Sequence, residues 1–462
     1  MRQTSAGPRA VRGTWLRRLL GGLGVRVRFE SFGGIVALER PPLLAFVDQA
    51  FLRRLGFREH PRWGEARSTL SAPTEVHMTL TRACPVGCRG CYVDAAEPAP
   101  GELSTAAACA VLDDLAAAGV LHVAMGGGES YVRPDLFDIA SHARQLGMVP
   151  NVTTSGLGMT QDLARRSRVF GQVNVSVDGL AGWDDSAGRP RGSWEVAERA
   201  LELLRRARVR TGVNCVVTRQ NVERLDELAR AVRRLGVREV EFLRIKPTGR
   251  GTTDYGRRVL TREQARGVYP RILALARSAR IRPRIDCSFL PMACHHAPDL
   301  GRMKLLGMLG CEAGHHLASV DSVGRVHACS FLEDGRTLPR GLAAEWDAAD
   351  ALVDYRHYRD RAPEPCASCA YLSICGGGCR AVSRFLTGDP FRPDPECPRV
   401  EDWSAARAQG SRAVAGSGPL LGDPPDQCAE AGDPVVPPHH GRQPGEPRAS
   451  DSGDTEPGEI VV

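Results

Sequence analysis

From Glu75 to about Cys287, short apolar runs alternate with amphipathic stretches. This is the rhythm of repeated β-α units on a parallel sheet. It predicts strands at 76–81, 121–125, 150–154, 173–177, 212–217 and 240–245, with helices between them that include 104–118, 194–207 and 222–235. Six such units suit a partial (β/α)6 TIM-like barrel, an α/β fold whose chemistry sits at the C-terminal ends of the strands. Upstream, residues 25–38 alternate as two short strands around Gly33 and Gly34, and 43–55 reads as an amphipathic helix, so 1–72 is a small α+β module. Across 291–403 the rhythm fails and Cys, Gly and Pro become dense, as in a domain organised by metal more than by a core. The remainder, 404–462, holds nine Gly and nine Pro from residue 410 onward and reads as a disordered tail.

Composition narrows the class. The 462 residues are 42% hydrophobic, 25% charged and only 5% aromatic, which excludes a collagen-like fibre and wholesale disorder. The net charge of +7 is carried by arginine, since Lys246 and Lys304 are the only lysines, and it gives little ground for a nucleic-acid partner. Residues 1–70 carry thirteen Arg against five acidic residues, so the basic character is concentrated at the front. Fifteen cysteines, an odd number without an export signal, argue against a disulfide framework and for a reducing, cytoplasmic setting. Arg17 and Arg18 precede an apolar run at 19–25, but that run is broken by Gly and followed at once by Arg26 and Arg28, which makes a poor secretion signal. No run of 18 apolar residues exists to span a bilayer. Cys109 and Cys215 read as small buried hydrophobes, and Cys428 as a bystander.

The chemistry begins at Cys84, Cys88 and Cys91, a C-x3-C-x2-C directly after the first barrel strand. Three thiolates can hold three irons of a [4Fe-4S] cube and leave the fourth open. A zinc knuckle would need a fourth ligand nearby, and the next ten residues supply neither His nor Cys. The arrangement resembles the radical S-adenosylmethionine (SAM) superfamily. After the second strand, Gly126, Gly127, Gly128 and Glu129 resemble the segment that holds the SAM amino group. Thr153 to Gly156, with Thr154, resembles a SAM-facing loop after the third strand, and Ser176 and Asp178 after the fourth resemble the residues near the ribose. One position departs: many relatives have an aromatic residue before the third cysteine, to pack on adenine, and here it is Gly90. Tyr92 or the strand-end residues 243–246 are the replacements.

A second set follows: Cys311-x12-Gly324-x4-Cys329, then Cys366-x2-Cys369-x5-Cys375-x3-Cys379, then Cys397. It resembles the SPASM extension, the auxiliary-cluster domain of radical SAM enzymes that modify peptides and proteins; structural zinc is the bland alternative for Cys366 and Cys369 with Cys375 and Cys379. The resemblance implies one auxiliary [4Fe-4S] cluster on Cys366, Cys369, Cys375 and Cys397 and another on Cys311, Cys329 and Cys379. The fourth ligand of the latter would be Cys294, with Cys287 the second choice, or else the site stays open at one iron. It further implies reductive cleavage of SAM, fed by a donor such as flavodoxin or ferredoxin, and modification of a ribosomally made precursor peptide. The sequence singles out no catalytic side chain. The basic module weakly resembles peptide-recognition domains that capture a leader by strand addition, with Arg26, Arg28 and Arg40 to steer an acidic leader. The alternatives are a maturase of a protein side chain, as in sulfatase-activating enzymes, a small-molecule biosynthetic enzyme, or an iron-sulfur carrier or scaffold. The last leaves Gly127, Gly128 and Glu129 unexplained.

Overall fold

The barrel strands form where hydrophobic residues alternate with polar ones, because one face of each strand must meet the helices while the other lines the interior. In β4 (Glu75–Thr81), Val76, Met78 and Leu80 are buried against the helices, while Glu75 and His77 face inward. The computed structural model describes residues 25–39, 43–183 and 188–415. Arg17, Arg18, Arg40, Cys428 and the tail beyond 415 lie outside them.

After the N-terminal strands β1 (Arg26–Glu30), β2 (Gly33–Leu38) and β3 (Leu43–Asp48) and helix α1 (Gln49–Arg54), β4 opens the barrel. There follow α2 (Thr105–Ala118), β5 (His122–Gly127), α3 (Leu136–Gln145), β6 (Val149–Thr154), α4 (Gln161–Arg166), β7 (Val173–Ser176), α5 (Ser193–Arg206), β8 (Thr211–Val217), α6 (Leu225–Arg234) and β9 (Glu239–Arg244). All six strands are parallel neighbours in order. Local chemistry sets the boundaries. Ser104 caps α2 by accepting from Ala107 N (3.2 Å), and Gly119 ends it in the left-handed conformation.

The sheet runs further than six strands. After α7 (Arg262–Ser278), β10 (Arg282–Ile285) pairs in parallel with β9. At the other edge β11 (Leu317–Val320) pairs in parallel with β4 and β12 (Val326–His327) turns back on β11. The stretch that lost its strand-helix rhythm thus adds two strands to the barrel sheet. β11 is four residues long and buried throughout, so it carries no alternation to read. Helix α8 (Leu290–His295), α9 (Arg380–Thr387) and α10 (Pro398–Ala415) carry or flank the later cysteines.

Three expectations change. Residues 43–55 are not one helix: 43–48 form β3, antiparallel to β2, and the helix starts only at Gln49, where Asp48 accepts from Phe51 N (2.7 Å). Five consecutive apolar residues fit a strand as well as a helix, and the unpaired edge of β2 decides. Arg26 and Arg28 do not face a partner. Arg28 is buried, donating to the carbonyls of Pro73 (2.7 Å), Ala72 (2.9 Å) and Gly119 (3.1 Å) and pairing with Glu30 (2.8 Å), while Arg26 donates to Leu121 O (2.9 Å). They fasten the module to the base of the barrel. The tail expected from 404 begins as helix, because the Ala- and Arg-rich stretch to 415 precedes most of the Gly and Pro.

Candidate functional site

The Cys84–Cys91 loop leaves the end of β4, where a register shift between Thr79 and Thr81 turns the chain out of the sheet. Loops from the far rim reach across to hold it. Arg250 donates to Cys88 O (3.2 Å) and Ala95 O (2.8 Å) and pairs with Asp94 (2.7 Å), and Arg89 N donates to Gly188 O (3.0 Å). Gly249, at φ +54°, lies so close to Cys91 O and Tyr92 O that a Cβ there would come within 2.6 Å of both. The space beside Gly90 is taken by another side chain: a Cβ at Gly90 would fall 1.8 Å from the Arg258 guanidinium, which also crowds Gly188. Arg258 occupies the space that an aromatic side chain would need.

The thiols have a graded electrostatic setting. Burial pushes Cys84 up, opposed by the backbone N–H groups of Val86 and Gly87. Burial also pushes Cys88 up, opposed by the guanidinium of Arg189, and both thiols feel Cys91. Ala95 N points at Cys91 Sγ (3.3 Å).

Beside this loop the glycine run folds tightly. Gly127, at φ +116°, and Gly128 would each drive a Cβ to within 2.5 Å of a β4-end carbonyl, Thr81 O and Ala83 O respectively. Glu129 is buried, and its carboxylate accepts from Thr154 Oγ1 (2.7 Å), Ser155 N (2.8 Å), Ser155 Oγ (2.5 Å) and Tyr131 N (3.3 Å). Glu129 and Thr154, two predicted site residues, therefore form one clasp between the loops after β5 and β6. Ser176 stands at the end of β7. Asp178 is buried and committed: one oxygen accepts from Arg189 Nε (2.6 Å), the other from Val216 N (2.7 Å). Its carboxylate orients Arg189 toward Cys88.

The later cysteines run from the turn after β10 to the start of α10, and Cys329 follows β12, which runs antiparallel to β11. All fourteen described cysteines are free thiols. Among the described residues, no three His, Cys, Asp or Glu side chains converge around a single metal ion. Burial, then Cys311 and Cys379, push Cys329 up to about 12, and burial pushes Cys366 up to about 11. Cys375 is raised first by contact with the Cys294 thiol and then by burial. Buried thiols that oppose one another's ionisation are stabilised as thiolates by a cationic iron centre, so the donor set fits clusters. The Cys294 thiol, expected beside Cys311, Cys329 and Cys379, lies against Cys375 of the other expected set.

Sequence reasoning offered 243–246 for adenine packing and missed that Arg244 is committed to Asp394. Arg244, at the end of β9 and buried, donates to both oxygens of Asp394 (2.6 and 3.1 Å) and to Glu396 (2.6 Å). The wholly buried Asp394 also accepts from Cys379 N (2.9 Å), and its carbonyl accepts from Cys397 N (3.0 Å). One ion pair thus joins the barrel to both auxiliary cysteine sets. Asp394 sits in a Pro-rich stretch without periodicity, where no signal marks it.

A partial barrel with a three-cysteine loop after its first strand and a glycine-Glu clasp after its second defines an enzyme that cleaves SAM at an iron-sulfur cluster. The chain belongs to the radical SAM superfamily, whose family model matches residues 78–232, and with membership come a [4Fe-4S] cluster and SAM. It is 32% identical over 351 residues to mycofactocin maturase MftC of Mycolicibacterium smegmatis, covering 74% of this chain and 86% of that one. Pre-heme d1 synthase of Dinoroseobacter shibae is 27% identical (70% and 85% covered), and PqqA peptide cyclase of Ruegeria pomeroyi 29% (76% and 95%). The fold is shared with Streptococcus suis SuiB bound to S-adenosylmethionine, at TM-score 0.65 and 16% identity over 81% of this chain and 98% of that one. Among the described residues no helix is long and apolar enough to cross a membrane.

Proposed function

We propose that this chain is a cytoplasmic maturase that modifies a ribosomally made precursor peptide, taking electrons from a flavodoxin or ferredoxin. What carries this reading is the three-cysteine loop facing the Glu129–Thr154 clasp, on a chain similar to a maturase and a peptide cyclase. When bound, the cluster and SAM supply a 5′-deoxyadenosyl radical that removes a hydrogen atom from the substrate. Cys84, Cys88 and Cys91 would hold the cluster. Gly127 and Gly128 permit close approach to the SAM amino group, Glu129 and Thr154 fix the loop that receives it, and Ser176 lies on the ribose side with Asp178 acting through Arg189. Two auxiliary clusters on the later cysteines would carry away the electron lost when the product bond closes.

The N-terminal sheet supports peptide capture. Among the described residues β3 pairs only with β2, which leaves one edge for an added strand, and Phe32, Leu43 and Phe46 are exposed beside it. The similarity to pre-heme d1 synthase favours a small-molecule substrate as the second reading. Anaerobically reconstituted enzyme, given SAM, a reductant and the short peptide encoded beside its gene, is expected to form 5′-deoxyadenosine and shift the peptide mass. SAM cleavage without any change in that peptide would favour the second reading. Stoichiometric zinc without near-visible iron-sulfur absorption would sink both.

A further inference from the structure

The two upstream cysteines, Cys287 and Cys294, are seven residues apart but fall into different surroundings. Cys379 is buried in the main core, and Cys311 and Cys329 pack against that same core. Cys294 and Cys375 are buried in a separate cluster with Leu290, Met303 and Ile374, with Cys369 packed on its margin. Cys294, within α8, has its thiol against that of Cys375, and its carbonyl accepts from Arg399 Nε (3.0 Å), two residues beyond Cys397. By packing and by contact it sits with Cys375 and Cys369, and through Arg399 it is tied to the turn beside Cys397.

Cys287 precedes α8, in the turn that leaves β10. Its neighbour Asp286 pairs with Lys246, and the Lys246 ammonium lies 4.4 Å from the centre of the Phe331 ring, two residues after Cys329. Electrostatically Cys287 couples to Cys311, and Lys246 couples to Cys287 and Cys379 alike. Lys246 acts on Cys329 as well, and a buried ammonium that faces Cys287, Cys329 and Cys379 is what a set of thiolates needs beside it.

We propose that Cys287 supplies the fourth thiolate to the auxiliary site of Cys311, Cys329 and Cys379, and that Cys294 is a fifth thiol at the other auxiliary site. The inference rests on the presence of auxiliary clusters. Each ligating thiol gives up its proton on binding iron, and the first auxiliary site is then closed to any substrate thiolate or backbone group. That site would act as an electron relay.

The test uses the full-length chain with Cys84, Cys88 and Cys91 changed to Ala, which leaves only auxiliary iron, about eight per chain if both cubes form. In this background Cys287→Ser should shift the EPR g-values of one reduced cluster or lower the iron to about four, while Cys294→Ser keeps about eight irons and the parent spectrum. Cys287→Gly should leave an open iron, so that added imidazole alters its EPR spectrum and not that of the parent. Loss of a cluster in Cys294→Ser with an unaltered Cys287→Ser would overturn the assignment. So would parent-like spectra in every variant, or a Cys287→Gly protein that keeps about eight irons and is indifferent to imidazole. A parent without auxiliary iron would instead refute the auxiliary clusters themselves, a separate failure.

Discussion

At the scale of single residues, Gly90 is a departure from a motif where the space beside it is taken by a distant side chain. Gly90→Phe forces the buried Arg258 guanidinium out of its place and should destabilise the protein by about 1–3 kcal/mol, the range for overpacking. Arg258→Ala in the same chain should restore much of that loss, read as non-additive melting temperatures. Strict additivity would show that Arg258 is not the occupant that matters. Glu129 makes a different case, because its carboxylate already has four donors. Glu129→Ala should keep its iron, melt earlier because Ser155 N loses its partner, and weaken SAM binding by about 1.5–3 kcal/mol. Unchanged SAM affinity by calorimetry would reduce the clasp to a structural role.

At the scale of elements, the module's charges are fasteners and its recognition surface is a strand edge. Deleting it would strip the cover from Leu121, which packs with Ile35 and Ala37, so substitution is the cleaner probe. Leu43→Ser with Phe46→Ser, both on exposed side chains of β3, should leave iron content and SAM cleavage intact but weaken precursor binding several-fold by fluorescence anisotropy. Equal binding would make the module a cap. The turn before β11 adds a pH effect. Burial and then Arg359 depress His316 to about 4, while the unfolded side chain titrates near 6.5. Between these values the unfolded chain binds the extra proton, so stability should fall as the pH is lowered from about 6.5 toward 4. His316→Gln should flatten that slope in melting experiments at pH 7 to 5.5, and an unchanged slope would assign the effect elsewhere.

At the scale of the whole molecule, the Arg244–Asp394 pair is where the barrel meets the cysteine-rich region. Arg244→Ala leaves Asp394 buried without its cation, a loss of about 3–5 kcal/mol. Because Asp394 also holds Cys379 N and Cys397 N, auxiliary iron should fall while the Cys84–Cys91 site keeps its cube. Intact wild-type protein should carry about twelve irons in three clusters. A variant that keeps all of them would show that the pair only stabilises the fold.

Much of this was legible in one dimension because it is local. Strand alternation reads out directly where one face of a strand is buried, and the six barrel strands lie within a residue or two of the pattern. The cysteine spacings and the Gly126 to Glu129 segment likewise depend on neighbours in the chain, since a cluster loop and a close-approach turn are built from a few successive residues. Residues 43–48 were ambiguous because an apolar run suits either element until a sheet edge is present. What the sequence leaves open is every question of partnership across distance: that Arg28 serves carbonyls at 72, 73 and 119, that Arg258 fills the space at Gly90, that Asp394 answers Arg244, and that Cys294 meets Cys375. Those contacts join residues separated by tens to more than a hundred positions, and the burial that makes each one matter exists only once the chain has packed.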